Sequence, residues 1–197
     1  MACATTRQRQ TAALFSFLAL FFCLLFPLAA PGNNVSEYEI KGAMIVNFIR
    51  FATWPDLGPD LGPDLGPDSD IQTRKANIVV GIMGNAAPFD AFAPMQDRSI
   101  DGRKLSVRHI DAVYEISQCQ VLFIDKSQSS RLTEIMKAVD GLPILTIGES
   151  GDFIKTGGLI SFYFQNDHIR FAINGKTAAK SPVKIGSKLM EIGKIVY

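Results

Sequence analysis

Cysteine and histidine are scarce in this 197-residue chain, with three of the first and two of the second. Cys3 and Cys23 fall within the first 32 residues, so Cys119 stands alone beyond them. One cysteine closes no internal disulfide, and a disulfide-stapled scaffold is excluded. Cys119 leads into Val121-Leu122-Phe123-Ile124, which points to a buried thiol; an intermolecular disulfide is the alternative. Neither His109 nor His168 has a second His or Cys at ligand spacing, so no metal site is expected and both read as structural. An excess of one charge is also missing. The net charge is +1, and it becomes −1 once Arg7 and Arg9 are set aside with the N-terminal segment. Nothing there grips nucleic acid.

The usual chemical motifs are absent as well. No Gly-x-Gly-x-x-Gly or Gly-x-x-x-x-Gly-Lys-Ser/Thr loop occurs, and no Gly-x-Ser-x-Gly elbow. Gly148-Glu149-Ser150-Gly151-Asp152 has the glycine-flanked serine of trypsin-like proteases. Such a serine needs two β-barrels, a His base and a buried Asp. The chain is α/β-patterned and too short for two barrels, so this stretch reads as a turn. No catalytic residue and no cofactor is expected, and the chain reads as a non-enzyme.

What is present begins with an export pattern. Arg7 and Arg9 precede an uncharged stretch over 11–30, with an apolar core over 14–26 and small residues at Ala29, Ala30 and Gly32. That order describes a secretory signal peptide over 1–32. Pro31 suits the first mature position poorly, which favours cleavage after Gly32. The alternative is an uncleaved membrane anchor. Nothing after Gly32 is long and apolar enough to span a bilayer, so no membrane insertion is expected after cleavage. The remaining 33–197 make one domain with an adequate core.

Residues 35–54 carry a helical apolar stripe, with Ser36 and Glu39 as a capping box and Trp54-Pro55 as the stop. Asp56-Leu57-Gly58-Pro59 then repeats over 60–63 and 64–67. One apolar residue and a Gly-Pro breaker per unit cannot build a core, so 55–75 reads as a mobile surface loop. The aspartates of the repeat match no calcium loop. Beyond it, strands and helices alternate. Strands are expected over 78–83, 104–110, 121–124 and 142–147, and helices over 88–95 and 127–139. Residues 160–165 and 168–174 alternate with period 2 around Asn166-Asp167, the pattern of a β-hairpin. A terminal helix is expected from 183, with Ile185, Leu189, Ile192 and Val196 on one face. The fold class is α/β: a layered sandwich with a mixed sheet, a C-terminal hairpin and helices on both faces.

Two sets of candidate residues follow. Open α/β sheets bind ligands beyond the carboxyl ends of their strands, which nominates Gly84, Asn85, Asp125, Ser127, Gly148 and Asp152 as a small-molecule pocket. The first helix is apolar nearly all round. Its Ile45, Phe48, Ile49, Phe51 and Trp54 belong either to the core or to a partner or dimer surface.

Several stretches together resemble the YfiR family of bacterial periplasmic regulators. They are KGAMIVNFIRFATWP (41–55), IVVGIMGNAAPF (78–89), Gly102-Arg103, CQVLFI (119–124), ILTIGESGDF (144–153), Gly157-Gly158-Leu159-Ile160, IRFAIN (169–174) and KIGSKL (184–189). The resemblance implies a Rossmann-like, often dimeric, non-enzymatic protein. Such a protein binds the periplasmic sensor domain of an inner-membrane diguanylate cyclase and holds it inactive, so that relief raises cyclic di-GMP and promotes biofilm. The family's well-known members carry cysteine pairs. With Cys119 alone, redox sensing through an internal disulfide is not available here. A periplasmic small-molecule sensor is the alternative reading.

Overall fold

The computed structural model describes residues 36–55 and 77–197. The expected signal peptide, and the expected loop beyond Pro55, lie outside the described residues.

Helix α1 (Glu37–Arg50) starts where the capping box predicts. The Glu39 amide donates to Ser36 Oγ at 3.2 Å, and the Ser36 amide donates to Glu39 Oε2 at 2.7 Å. After it come β1 (Ala52–Thr53), β2 (Ile78–Met83), α2 (Ala86–Phe92), β3 (Ser99–Ile100), β4 (Arg103–His109), β5 (Val121–Ile124) and α3 (Leu132–Val139). The chain then forms β6 (Leu145–Gly148), β7 (Ile160–Gln165), β8 (His168–Asn174), α4 (Gly175–Lys180), β9 (Lys184–Ile185), α5 (Ser187–Ile192) and β10 (Lys194–Val196). The expected helix over 127–139 opens as a 3₁₀ segment, Lys126–Arg131, and becomes α-helical only at Leu132.

Eight strands form a mixed sheet in the order β10-β8-β7-β6-β5-β2-β4-β3. From β4 through β2, β5 and β6 to β7 every pairing is parallel. β7 and β8 form the antiparallel hairpin, with Gln165 opposite His168. Asn166 and Asp167 both have positive φ, 51° and 59°, as a two-residue hairpin turn of the right hand requires.

The central parallel strands β2, β5 and β6 are buried on both faces, which explains their largely apolar runs. One face takes Ile45, Phe48 and Ile49 of α1, Phe92 of α2 and Leu189 of α5 against Val80, Phe123, Ile147 and Phe162. The other takes Leu132, Ile135 and Val139 of α3 with Ile116 and Phe153 against Leu122 and Ile124.

Two expectations are corrected. Of the two readings given for Ile45, Phe48, Ile49, Phe51 and Trp54, core or partner surface, the structure takes core, and Phe51 and Trp54 stand past the end of α1. Ile45, Phe48, Ile49 and Trp54 are buried in their own domain, and only Phe51 is half-buried. The hairpin is the reason, because its Phe162 and Phe171 supply the aromatic surface that α1 covers. The Phe48 ring centroid lies 5.7 Å from that of Phe162 and 4.8 Å from that of Phe171. The single terminal helix is also overturned. Gly186 and Gly193 divide it into β9, α5 and β10. Gly193 passes so close to the hairpin that a Cβ would sit 2.6 Å from the Phe171 ring, which turns the chain out to pair as β10 alongside β8.

Candidate functional site

The carboxyl ends of β2, β5 and β6 meet the first turns of α1. Gly84 follows β2 with φ +147°, and a Cβ there would lie 2.2 Å from Asp125 Cβ. That glycine therefore lets Asp125, just past β5, lie against the neighbouring strand end. Asp125 Oδ1 accepts from the Ser127 amide at 2.7 Å and caps the 3₁₀ segment. Tyr38 from α1 places its hydroxyl 3.1 Å from Asp125 Oδ2 and 3.1 Å from Glu149 Oε1. Glu149, just past β6, also accepts from the Lys126 amide at 3.2 Å. The Lys41 ammonium pairs with Glu37 and Glu149 and lies 4.8 Å from the centre of the Tyr38 ring.

Burial makes these interactions strong. Lys41 is 2% exposed, and the Glu149 side chain is 5% exposed. Burial, then the neighbouring Glu149 and Asp125 charges, push the Tyr38 hydroxyl far above its ordinary value, so it stays a neutral donor. Burial also pushes the Asp125 carboxyl up, but donors from Ser127 and from Tyr38 outweigh it and hold the group below the ordinary carboxylate value. The cluster thus fastens the start of α1 to the ends of β5 and β6 through charge, beside the edge-on contact of the Tyr38 ring with Phe123 of β5 at 6.4 Å.

A cleft of about 460 Å³ opens beside the cluster. Glu37, Lys41 and Glu149 line it with Lys126, Ser150 and Ile154, and the overhanging hairpin adds Tyr163, Phe164 and Ile169. Ser150 Oγ is buried with no hydrogen-bond partner. A second cleft, of about 450 Å³, lies near the start of β6 between α3 and α4, and its Lys137, Asp140 and Lys180 are exposed.

The six nominated pocket residues do not all converge. Gly84, Asp125 and Ser127 are neighbours, and Asn85 stands before α2 without a side-chain capping bond. Gly148 is covered by Phe153, whose ring would lie 2.4 Å from a Cβ there. Asp152 points outward and pairs with Lys155 at 3.0 Å. Sequence reading missed Tyr38 and Lys41; Glu149 and Ser150 lie in the 148–152 stretch that it singled out but read as a turn. Lys41 did carry a visible sign: it lies four residues before Ile45 and so falls on the apolar stripe of α1, where a charge needs a buried partner. Cys119 is buried, and burial raises its thiol to about 11. His109 lies 3.1 Å from the Gly84 carbonyl and 3.0 Å from Asp111, while His168 is exposed. Among the described residues no group of His, Cys, Asp or Glu could hold a metal ion, and no helix is long and apolar enough to cross a membrane.

Strands in parallel at the centre, helices on both faces and a cleft at the carboxyl edge place the molecule among the Rossmann-like layered α/β domains. The solved structures include the crystal structure of an ABC domain in complex with L-Trp from Streptococcus pneumonia. It is 12% identical, covers 60% of this chain and 55% of its own, and has a TM-score of 0.43. A comparison with curated proteins finds no match. The sequence profile described as YfiR/HmsC-like matches residues 38–194, and the chain belongs to that family. It is a family of periplasmic regulators in the context of cyclic di-GMP signalling.

Proposed function

We propose that this protein is exported to the periplasm, docks on the extracytoplasmic sensor domain of an inner-membrane diguanylate cyclase and keeps that enzyme inactive. The family match over 38–194 carries the reading, and the export pattern of 1–32 agrees with it. A docked protein inhibits only by preferring the inactive state of its target. Moving an evenly balanced sensor to ~99% inactive takes a ~100-fold preference, about 2.7 kcal/mol. Deleting the gene is expected to raise cellular cyclic di-GMP. The full chain restores the level, and a chain lacking 1–32 does not. An unchanged level in the deletion strain overturns the proposal.

A second reading rests on the 460 Å³ cleft, whose size suits a small molecule. In that reading the protein is a periplasmic sensor whose ligand tunes docking. A metabolite that binds the folded state raises the melting temperature, and a screen without a single shift leaves the cleft to another occupant.

A further inference from the structure

β6 stops short of the strand beside it. The pairing of β6 with β7 consists of Ile147 with Ile160 and Gly148 with Ser161. β7 continues for four more residues, Phe162 to Gln165, paired with β8 alone. The hairpin therefore overhangs the sheet, and among the described residues one edge of the overhang has no neighbouring strand. The register says which groups face that edge. The Asn174 amide donates to the Leu159 carbonyl at 2.9 Å. Counting on by twos, the main chains of Ser161, Tyr163 and Gln165 turn toward β8, and those of Phe162 and Phe164 turn the other way. Phe162 can still reach the end of β6, and its carbonyl receives a long 3.4 Å bond from Ser161 Oγ. Phe164 lies beyond that reach. By the same count its amide and carbonyl turn to the edge away from β8; Phe164 lines the 460 Å³ cleft and is 59% exposed.

We infer that this cleft takes an extended, acidic peptide segment of another protein, added as a strand along Phe162–Phe164 in the lane that β6 vacates. Three observations converge on that occupant. A strand edge with unused amide and carbonyl groups is a template for strand addition. The cleft lining mixes apolar side chains, among them Ile154, Phe164 and Ile169, with charged ones, which suits a peptide that carries both. The charge is complementary. Glu37 and Glu149 share the one cation of Lys41, and Lys126 and Lys194, both exposed and without an ion pair among the described residues, leave the lining with one positive charge in excess; Lys194 stands on β10, with its ammonium 6.0 Å from the centre of the Tyr163 ring. The inference rests on the regulatory reading only for which protein supplies the segment.

The test uses the purified protein, labelled with ¹⁵N, and two probes: acetyl-Val-Glu-Val-Glu-Val-amide and its counterpart with lysine for glutamate. The acidic probe is expected to slow exchange of the Phe164 amide at least tenfold and to shift the Lys126 and Lys194 signals, and the basic probe to do neither. Phe164→Pro removes the edge-facing amide together with the ring, and Phe164→Val removes the ring alone. It is expected to cut binding of the acidic probe at least tenfold, while Phe164→Val keeps it. Millimolar acidic probe that leaves Phe164 exchange unchanged overturns the inference, as does Phe164→Pro binding like the unmodified protein. Free glutamate binding as well as the peptide would hand the cleft to a small molecule. Protection of Phe164 that grows with protein concentration alone would hand it to a second copy. In the deletion strain, a chain that restores cyclic di-GMP equally with and without Phe164→Pro defeats this docking mode and spares the regulatory reading. If neither chain has any effect, the regulatory reading itself fails.

Discussion

Replacing Lys41 by methionine isolates the charge that holds α1 to the sheet. Methionine keeps the unbranched stem and the helix propensity, so little packing changes. The ammonium is lost, and Glu149, with its side chain 5% exposed, is left as a buried carboxylate without its cation. Removing one member of a buried pair typically costs 3–5 kcal/mol. The lower end applies here, because the Tyr38 hydroxyl and the Lys126 amide continue to donate to Glu149. A loss of about 3 kcal/mol is expected, or a fall of roughly 6–12 °C in Tm for a domain of this size. Glu37, 40% exposed, is the minor partner, and Glu37→Gln is expected to cost under ~1 kcal/mol. Urea melts followed by circular dichroism measure both. The double variant Lys41→Met/Glu149→Gln should recover at least ~2 kcal/mol relative to the sum of its single variants, because neither buried charge remains alone. A Lys41→Met variant within 1 kcal/mol of the parent, or a strictly additive pair, refutes the clamp.

Other expectations follow from the same geometry. The folded-state value of Tyr38 is raised, so its contribution is complete below the unfolded value near pH 10 and is lost as pH climbs past it. Alkaline melts should therefore show stability falling above ~pH 10 with a slope that Tyr38→Phe reduces. The sign is opposite for Asp125, whose folded-state value is lowered. Stability should fall as pH drops below ~4, and less steeply in Asp125→Asn. Cys119 is 2% exposed with its thiol raised to about 11; iodoacetamide at pH 8 should label it only as the protein unfolds, and rapid native labelling would contradict the burial. Gly148→Ala places a Cβ 2.4 Å from the Phe153 ring and is expected to cost at least ~2 kcal/mol through overpacking, read as a fall in the urea midpoint.

Much of the architecture was legible because it is local. The capping box at Ser36, the apolar runs of β2 and β5 and the Asn166-Asp167 turn each follow from neighbouring residues, and each stands where the pattern put it. The C-terminal segment was misjudged for the opposite reason. Ile185, Leu189, Ile192 and Val196 have helical spacing, but Gly193 must pass against Phe171, and β10 completes an edge that only the folded sheet presents. The partner-surface reading of α1 failed in the same way, since periodicity marks an apolar face without saying which surface covers it.

The sequence by itself determined most element types up to the hairpin, the family and the absence of any familiar reactive motif. Periodicity, turn chemistry and residue order are properties of short stretches of chain. The tertiary structure alone decided what those stretches do to one another. Tyr38, Lys41, Asp125 and Glu149 come from three places up to 111 residues apart and are brought together by the parallel strand order. The edge of β7 beside Phe164 has no partner strand among the described residues because β6 ends earlier than β7. Both are consequences of register and strand length, which distant pairings set and no local spacing records.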